Sequence, residues 1–396
     1  MKQILLAILL ILTVACSDSQ GGLVLYNANI IDPEAGCIIQ NQTIHIKEGV
    51  IESIVPSGRK ITTAIDLTGK YVMPGLIDSH VHWTHFAVDS LSSAMLAAEY
   101  LKCGVTSVRD MGGNIIVANE YNSHLSVGDF PGPGLYCSAM WVTGDFELSE
   151  DDLKGWNSSV DCPWMRLVSV KDSTDAAIEK AVIQAKESGC VGFKIYDGYS
   201  ADELSRMIPI MKKHGMKVWA HSSQGPAKAL DVVSSGVESV SHSYMLIDNF
   251  FYKTSLSDQE RSYLNYVLQK MKDNDVLLDA TAHISNENDL VYNDQIIKTA
   301  YAYGIKFLIG TDYFGCAVPD EIRALSKCGL SNIDILRAAT TYGARVLGHD
   351  DKLGTIAEGA QADIIVLPAN PIDDLSVLEH VEMTISNGKC VYGNLD

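Results

Sequence analysis

The sequence predicts an α/β protein: a (β/α)8 (TIM) barrel with a small β-sandwich domain formed from both chain ends. Three observations carry this reading. Eight short apolar runs alternate with helical patterns through the middle of the chain, and strand-and-turn texture recurs at both ends. The 396 residues also suit one barrel of roughly 250 residues plus a smaller unit. The expected divisions are a leader at 1–20, a composite β domain from 23–72 plus 353–396, and a barrel from 73–352.

The elements follow in order. "MKQILLAILLILTVACSDSQ" has Lys2, an apolar run from Ile4 to Val14, then Ala15-Cys16 and a polar stretch. The run is too short to span a bilayer as a finished helix. It resembles a secretory signal peptide, and Cys16 resembles the lipid-modified cysteine of bacterial lipoproteins. The expectation is an exported protein of the bacterial cell envelope or periplasm, touching membrane only through lipid on Cys16. From Leu23 to Val72, strands such as "LVLYNANII" and "QTIHIKEGVIESIV" are broken at Gly49, Gly58 and Gly69. Barrel strands are expected at 75–82, 105–110, 134–140, 191–196, 217–221, 237–242, 276–281 and 306–312. Capping boxes at Ser200-x-x-Glu203 and Ser257-x-x-Glu260 open two of the helices. Gly104, Gly189, Gly215 and Gly304 close others. The tail, "GTIAEGAQADIIVLPANP" and "VEMTISNGKCVYG", returns to strands. A doubly wound sheet is the alternative, but no GxGxxG follows the first strand.

Apolar residues make up 47% of the chain, and no tract is of low complexity, as in an ordinary globular protein. A formal charge of −19 argues against nucleic acid or an anionic membrane surface as partner. Besides Cys16 there are cysteines at 37, 103, 137, 162, 190, 316, 328 and 390. None forms a CxxC pair, so a structural zinc site is not expected, and their spacing assigns no disulfide.

Barrel enzymes build their sites at the C-terminal ends of strands. In "GLIDSHVHWTH", His80 and His82 stand two apart on an extended run and so share a side. Later strands carry Lys194 in "CVGFKIYDG", His221 in "KVWAHSS", His242 in "VESVSHSY" and Asp312 in "KFLIGTDYF". Four imidazoles, a lysine and a carboxylate converge on one mouth.

That set and order resemble the amidohydrolase superfamily, in particular the branch of metal-dependent Xaa-Pro dipeptidases and imidazolonepropionase-like hydrolases. The likeness extends to "PGLIDSHVH", "GVTSVRDMGG", "FKIYDG", "GTD" and "LRAATTYGARVLG", nearly the whole mature chain. It implies two divalent metal ions. His80, His82 and Asp312 would hold the more buried ion, and His221 and His242 the outer one. Lys194 would be carboxylated and, with a hydroxide, bridge them. An ammonium ~4 Å from a dication would cost about 8 kcal/mol at an effective dielectric of ~20, so Lys194 must be neutral, carboxylated or turned away. Nitrogen-rich ligation favours zinc. Asp312 would act as general base and then acid. The implied activity is cleavage of a C–N amide bond in a dipeptide such as Xaa-Pro, an N-acyl amino acid or a cyclic amide. A lactone or ester hydrolase and a deaminase are alternatives on the same site. A surface binding lipoprotein with a degenerate barrel is the non-enzyme alternative; it would show a substituted ligand, and all six are present.

Four further residues are candidates for substrate contact at the mouth: His85, His283 in "DATAHIS", and Tyr196 and Tyr199 after the lysine strand. Each has a plainer alternative as a loop residue or a packed aromatic. Asp78 and Asp110 read as supporting carboxylates, and Arg109 as paired within the barrel. The alternative for Lys194 is a salt bridge to Asp110 or Asp197. Segments 141–165 and 243–256 read as mouth loops that shape specificity. A homo-oligomer is compatible with the chain, whose sequence sets no stoichiometry.

Overall fold

Apolar side chains fill the buried strands of the computed structural model, which describes residues 22–86, 90–143, 165–167, 169–247, 255–287 and 292–393. Cys16, Cys162 and much of both expected mouth loops lie outside the described residues.

The N-terminal part forms β1 (Leu23–Asp32), β2 (Cys37–Lys47), β3 (Val50–Pro56), β4 (Ile65–Asp66) and β5 (Tyr71–Pro74). The barrel strands are β6 (Leu76–Val81), β7 (Val105–Asp110), β8 (Gly134–Val142), β10 (Gly192–Ile195), β11 (Lys217–His221), β12 (Ser239–Ser241), β13 (Leu277–Asp279) and β14 (Phe307–Leu308). The short β9 (Met165–Leu167) pairs with β8 off that path. The chain ends in β15 (Ile364–Leu367), β16 (Met383–Ser386) and β17 (Lys389–Gly393).

Each barrel strand lies parallel to its sequence neighbour, in the order β6-β7-β8-β10-β11-β12-β13-β14. The ends meet where the Ser79 N–H donates to the Ile309 carbonyl (2.7 Å) and the Asp312 N–H to the His80 carbonyl (2.7 Å). Every residue of β6 and β7 is buried, as expected when helices cover one face and barrel contents fill the other. Ile77 and Leu277, near the starts of their strands, pack with Ala344, Val346 and Leu347 of helix Thr341–Leu347. That helix plugs one end, and the other is left for chemistry.

The second sheet takes strands from both ends of the chain, in the order β17-β16-β15-β5-β1-β2-β3 with β4 beside β1. Pairing is antiparallel except where β1 meets β4 and β5. Leu25, Ile44, Ile51, Val72, Ile364 and Met383 form its core.

Local chemistry follows the sequence closely. Both capping boxes are made, and Gly104, Gly189, Gly215 and Gly304 all take positive φ. The strands fall where expected; the first and fourth are trimmed by one residue at each end, and the last three are much shorter. There the chain leaves the extended region as it turns into the mouth: His242, Thr281 and Asp312 have φ of 69°, 47° and 48°. Non-glycine residues rarely adopt this conformation, and it clusters at functional sites.

Candidate metal centre

The four histidines are aimed by hydrogen bonds. His80 is buried, its Nδ1 2.6 Å from Asp279 Oδ2 and its Nε2 3.5 Å from Asp312 Oδ1. His82 donates from Nδ1 to the Gly112 carbonyl (3.2 Å), which turns Nε2 to within 3.2 Å of Asp312. His242 meets the Thr281 hydroxyl at Nδ1 (3.0 Å) and faces Asp312 with Nε2 (3.9 Å). In all three rings Nδ1 is engaged by the protein and Nε2 is turned toward Asp312, the arrangement in which a second partner orients a ligand nitrogen. His221 lies with its ring 4.7 Å from that of His242. Its Nδ1 is buried with no hydrogen-bond partner among the described residues. Lys194 is fully buried, and its Nζ donates to Ser241 Oγ (3.1 Å). The structure therefore brings all six expected residues to one mouth.

Electrostatics set the protonation states. Burial depresses Lys194 to about 7, even against the pull of Asp279 and Asp312. Burial, reinforced by Lys194, drives His221 well below the ordinary histidine value. His242 is driven to about 3, burial outweighing the opposing pull of Asp312. Burial would raise Asp312, but His80, His82 and His242 hold it well below the usual carboxylate range. Burial lowers His80, His221 and His242, whereas at His82 burial is outweighed by the bond to Asp312 and its charge, which raise it. Deprotonated imidazoles with an ionised carboxylate are the donor state that a cation requires. Ligand atoms of His80, His242 and Asp312 lie within 4.8 Å of one another. Together with the orphaned His221 nitrogen, this nitrogen-and-oxygen set fits a divalent ion of zinc type.

Sequence reasoning missed Asp279 and Ser241. Asp279 ends β13, fully buried, and accepts from both His80 Nδ1 and Ser241 Oγ (3.0 Å), with Arg109 Nη2 at 3.8 Å. Ser241 in turn accepts from Lys194. One carboxylate thus orients a ligand directly and Lys194 through a hydroxyl. Gly310 makes room for it: a Cβ there would sit 2.1 Å from Asp279 Oδ1 and 2.9 Å from His80 Cβ. The available signal was an acid embedded in the apolar run "VLLDA".

The remaining candidates separate. The Tyr196 ring lies 4.4 Å from that of His221, at the mouth. Tyr199 is fully buried in the main hydrophobic core and does not line the mouth. His283 is buried, its Nδ1 3.2 Å from Glu321 Oε2 and its ring 5.6 Å from Tyr313. His85 belongs to helix Trp83–Phe86, and its side chain lies outside the described residues. The salt bridge considered for Lys194 is not made. Asp110 instead accepts from Thr84 and from the Gly112 N–H, while Asp197 accepts from the Gly198 N–H. Asp78 supports the mouth by accepting from the Thr311 N–H and hydroxyl. Arg109 is held in the barrel, its Nε donating to the Ser79 carbonyl (2.5 Å) and its guanidinium 4.7 Å from the Trp219 ring.

A nearly closed parallel barrel whose strand ends gather histidines and an aspartate places the molecule in the class of barrel hydrolases. The chain belongs to the amidohydrolase family, whose model matches residues 71–391. It is 24% identical over 432 residues to an ochratoxinase of Aspergillus niger, covering 93% of this chain and 85% of that protein. It is 22% identical over 413 residues to an imidazolonepropionase of Fusobacterium nucleatum, covering 92% and 93% of the two chains. A solved Xaa-Pro dipeptidase with methionine bound in its active site shares the fold. The TM-score is 0.73 at 22% identity, over 94% of this chain and 100% of that one.

Proposed function

We propose that this amidohydrolase is exported and cleaves a C–N amide bond in a small molecule: a dipeptide such as Xaa-Pro, an N-acyl amino acid or a cyclic amide. The observation that carries the reading is the convergence of His80, His82 and His242 on Asp312, with His221 against His242 and Lys194 buried beside them. Relatives named ochratoxinase, imidazolonepropionase and Xaa-Pro dipeptidase support a small substrate. Export rests on the leader-like first 20 residues, with Cys16 as the lipid-bearing cysteine of the cell envelope.

His80, His82 and Asp312, and His221 and His242 with a carboxylated Lys194, would hold two divalent ions, which would supply an acidified water and a polarised carbonyl. Asp312, kept ionised among three imidazoles, accepts the proton of the attacking water and returns it to the departing amine. Asp279 and Ser241 hold His80 and Lys194 in place while the proton moves. Tyr196, against His221, is placed to touch the substrate.

The test is a hydrolysis screen of the zinc-loaded full chain with Xaa-Pro and other dipeptides, N-acyl amino acids, cyclic amides and lactones. The expected result is turnover of at least one amide class. Asp312→Asn should lower that rate on the order of 10²–10⁴-fold. Turnover confined to lactones, or an unaffected Asp312→Asn variant, would sink the amide reading. Mass analysis of Lys194 should show one added carboxyl group.

A further inference from the structure

Cys103 and Cys316 are free thiols on neighbouring segments beside the mouth. Cys103 follows helix Ser90–Lys102, its N–H bonded to the carbonyls of Glu99 (3.3 Å) and Tyr100 (3.1 Å). Cys316 lies four residues beyond Asp312, in the segment that leaves β14. That segment is drawn onto the last turn of the helix. The Tyr100 hydroxyl donates to the Gly315 carbonyl (2.9 Å), and Glu99 Oε1 accepts from the Cys316 N–H (3.1 Å). Gly315 allows the approach: its φ is 93°, and a Cβ would sit 2.8 Å from Glu99 Oε1. Residues three and four apart on a helix share a face, so the contacts at Glu99 and Tyr100 also deliver the loop to Cys103. The Cys316 thiol lowers its neighbour Cys103, while burial and Cys103 together push Cys316 up. Both side chains are partly exposed, and neither belongs to the metal centre.

We propose that Cys103 and Cys316 form a disulfide by exchange with an external disulfide, a protein oxidant or oxidised glutathione, fastening the segment after Asp312 to the helix. The Cys103 thiolate attacks one sulfur of the oxidant, forming a mixed disulfide and expelling one thiolate. The Cys316 thiolate then attacks the Cys103 sulfur and expels the second. The pair loses two electrons and two protons; the oxidant gains the electrons, and its two thiolates take up the protons. Tyr313 and Phe314, exposed between Asp312 and Cys316, lie within the segment so restrained. The bond therefore tunes the rim of the mouth without touching a ligand.

The experiment equilibrates the metal-loaded full chain in glutathione buffers from fully reduced to fully oxidised. Samples are then acid-quenched, alkylated and digested with trypsin. Under oxidising conditions, peptide 103–109 should be recovered joined to peptide 307–323. The apparent Tm should rise by about 5 °C and fall back on reduction. Cys103→Ser and Cys316→Ser should each abolish the cross-link and the shift, while matching the reduced wild type in turnover to within about twofold. Recovery of both cysteines alkylated at the oxidising end overturns the proposal. So does recovery of each as a separate glutathione adduct, or of either joined to another cysteine. The peptide map uses wild-type protein and no substrate, so it stands or falls apart from the proposed hydrolysis.

Discussion

Asp279 governs the centre without being one of its expected ligands. It binds a histidine 199 positions away and a serine 38 positions away, so no local pattern could announce it. The six expected residues could be picked out because each stands near or just beyond the same end of a barrel strand. Tyr199 shows where such reading stops: it follows the lysine strand as Tyr196 does, but Gly198 turns the chain at φ 88° and Tyr199 enters the core. Asp279→Asn keeps the shape but weakens the bond to His80. We expect metal affinity, measured by titration of the metal-free protein, to fall about 10–100-fold. An unchanged affinity would reduce Asp279 to packing. Gly310→Ala forces a methyl against the same carboxylate and should cost about 1–3 kcal/mol of stability by urea denaturation. A neutral result there would mean that β14 can shift away freely.

Helix starts were the most legible elements, because a cap needs only four consecutive residues. Ser200 and Ser257 each accept the N–H of the glutamate three positions on, and each glutamate reaches back to the serine N–H. Replacing either serine by alanine should cost about 1 kcal/mol. The double variant should lose roughly the sum, since the two caps share no partner. Urea midpoints check this, and a clearly non-additive double variant would reveal coupling between the helices. Strand ends were less legible. Hydrophobic pattern marks a strand but not where it turns, and the left-handed turns at His242, Thr281 and Asp312 are set by tertiary contacts such as His242 with Thr281.

For the whole molecule, the seam between sheet and barrel is the sensitive region. Asp363 precedes β15; its carbonyl accepts from the Gly75 N–H just before β6, and its carboxylate from the Asn387 N–H (2.7 Å) and Gln361 Nε2 (3.0 Å). Burial raises its pKa from 3.8 to about 6 despite those bonds. Between these values the folded chain binds the proton that the unfolded chain has released, so stability falls as pH rises through that window. The loss is fully present above it and absent below it, and on the order of 3 kcal/mol. Asp363→Asn should remove this slope, so its stability relative to the wild type should grow from pH 4 to pH 7. Denaturation curves that stay parallel across that range would rule the seam out as the source. The composite sheet itself was legible from matching texture at the two chain ends, but not its order, because β-pairing between distant segments leaves no local mark.

That order has a consequence for biosynthesis. β15 occupies the place between β5 and β16, so the strands translated first are completed by strands translated after residues 75–363. Until Ile364 emerges from the ribosome, β5 offers an open edge of unpaired backbone, the kind of edge that recruits a strand from a neighbouring chain. Polysomes crowded with unfinished copies are therefore where this fold is most exposed to mispairing.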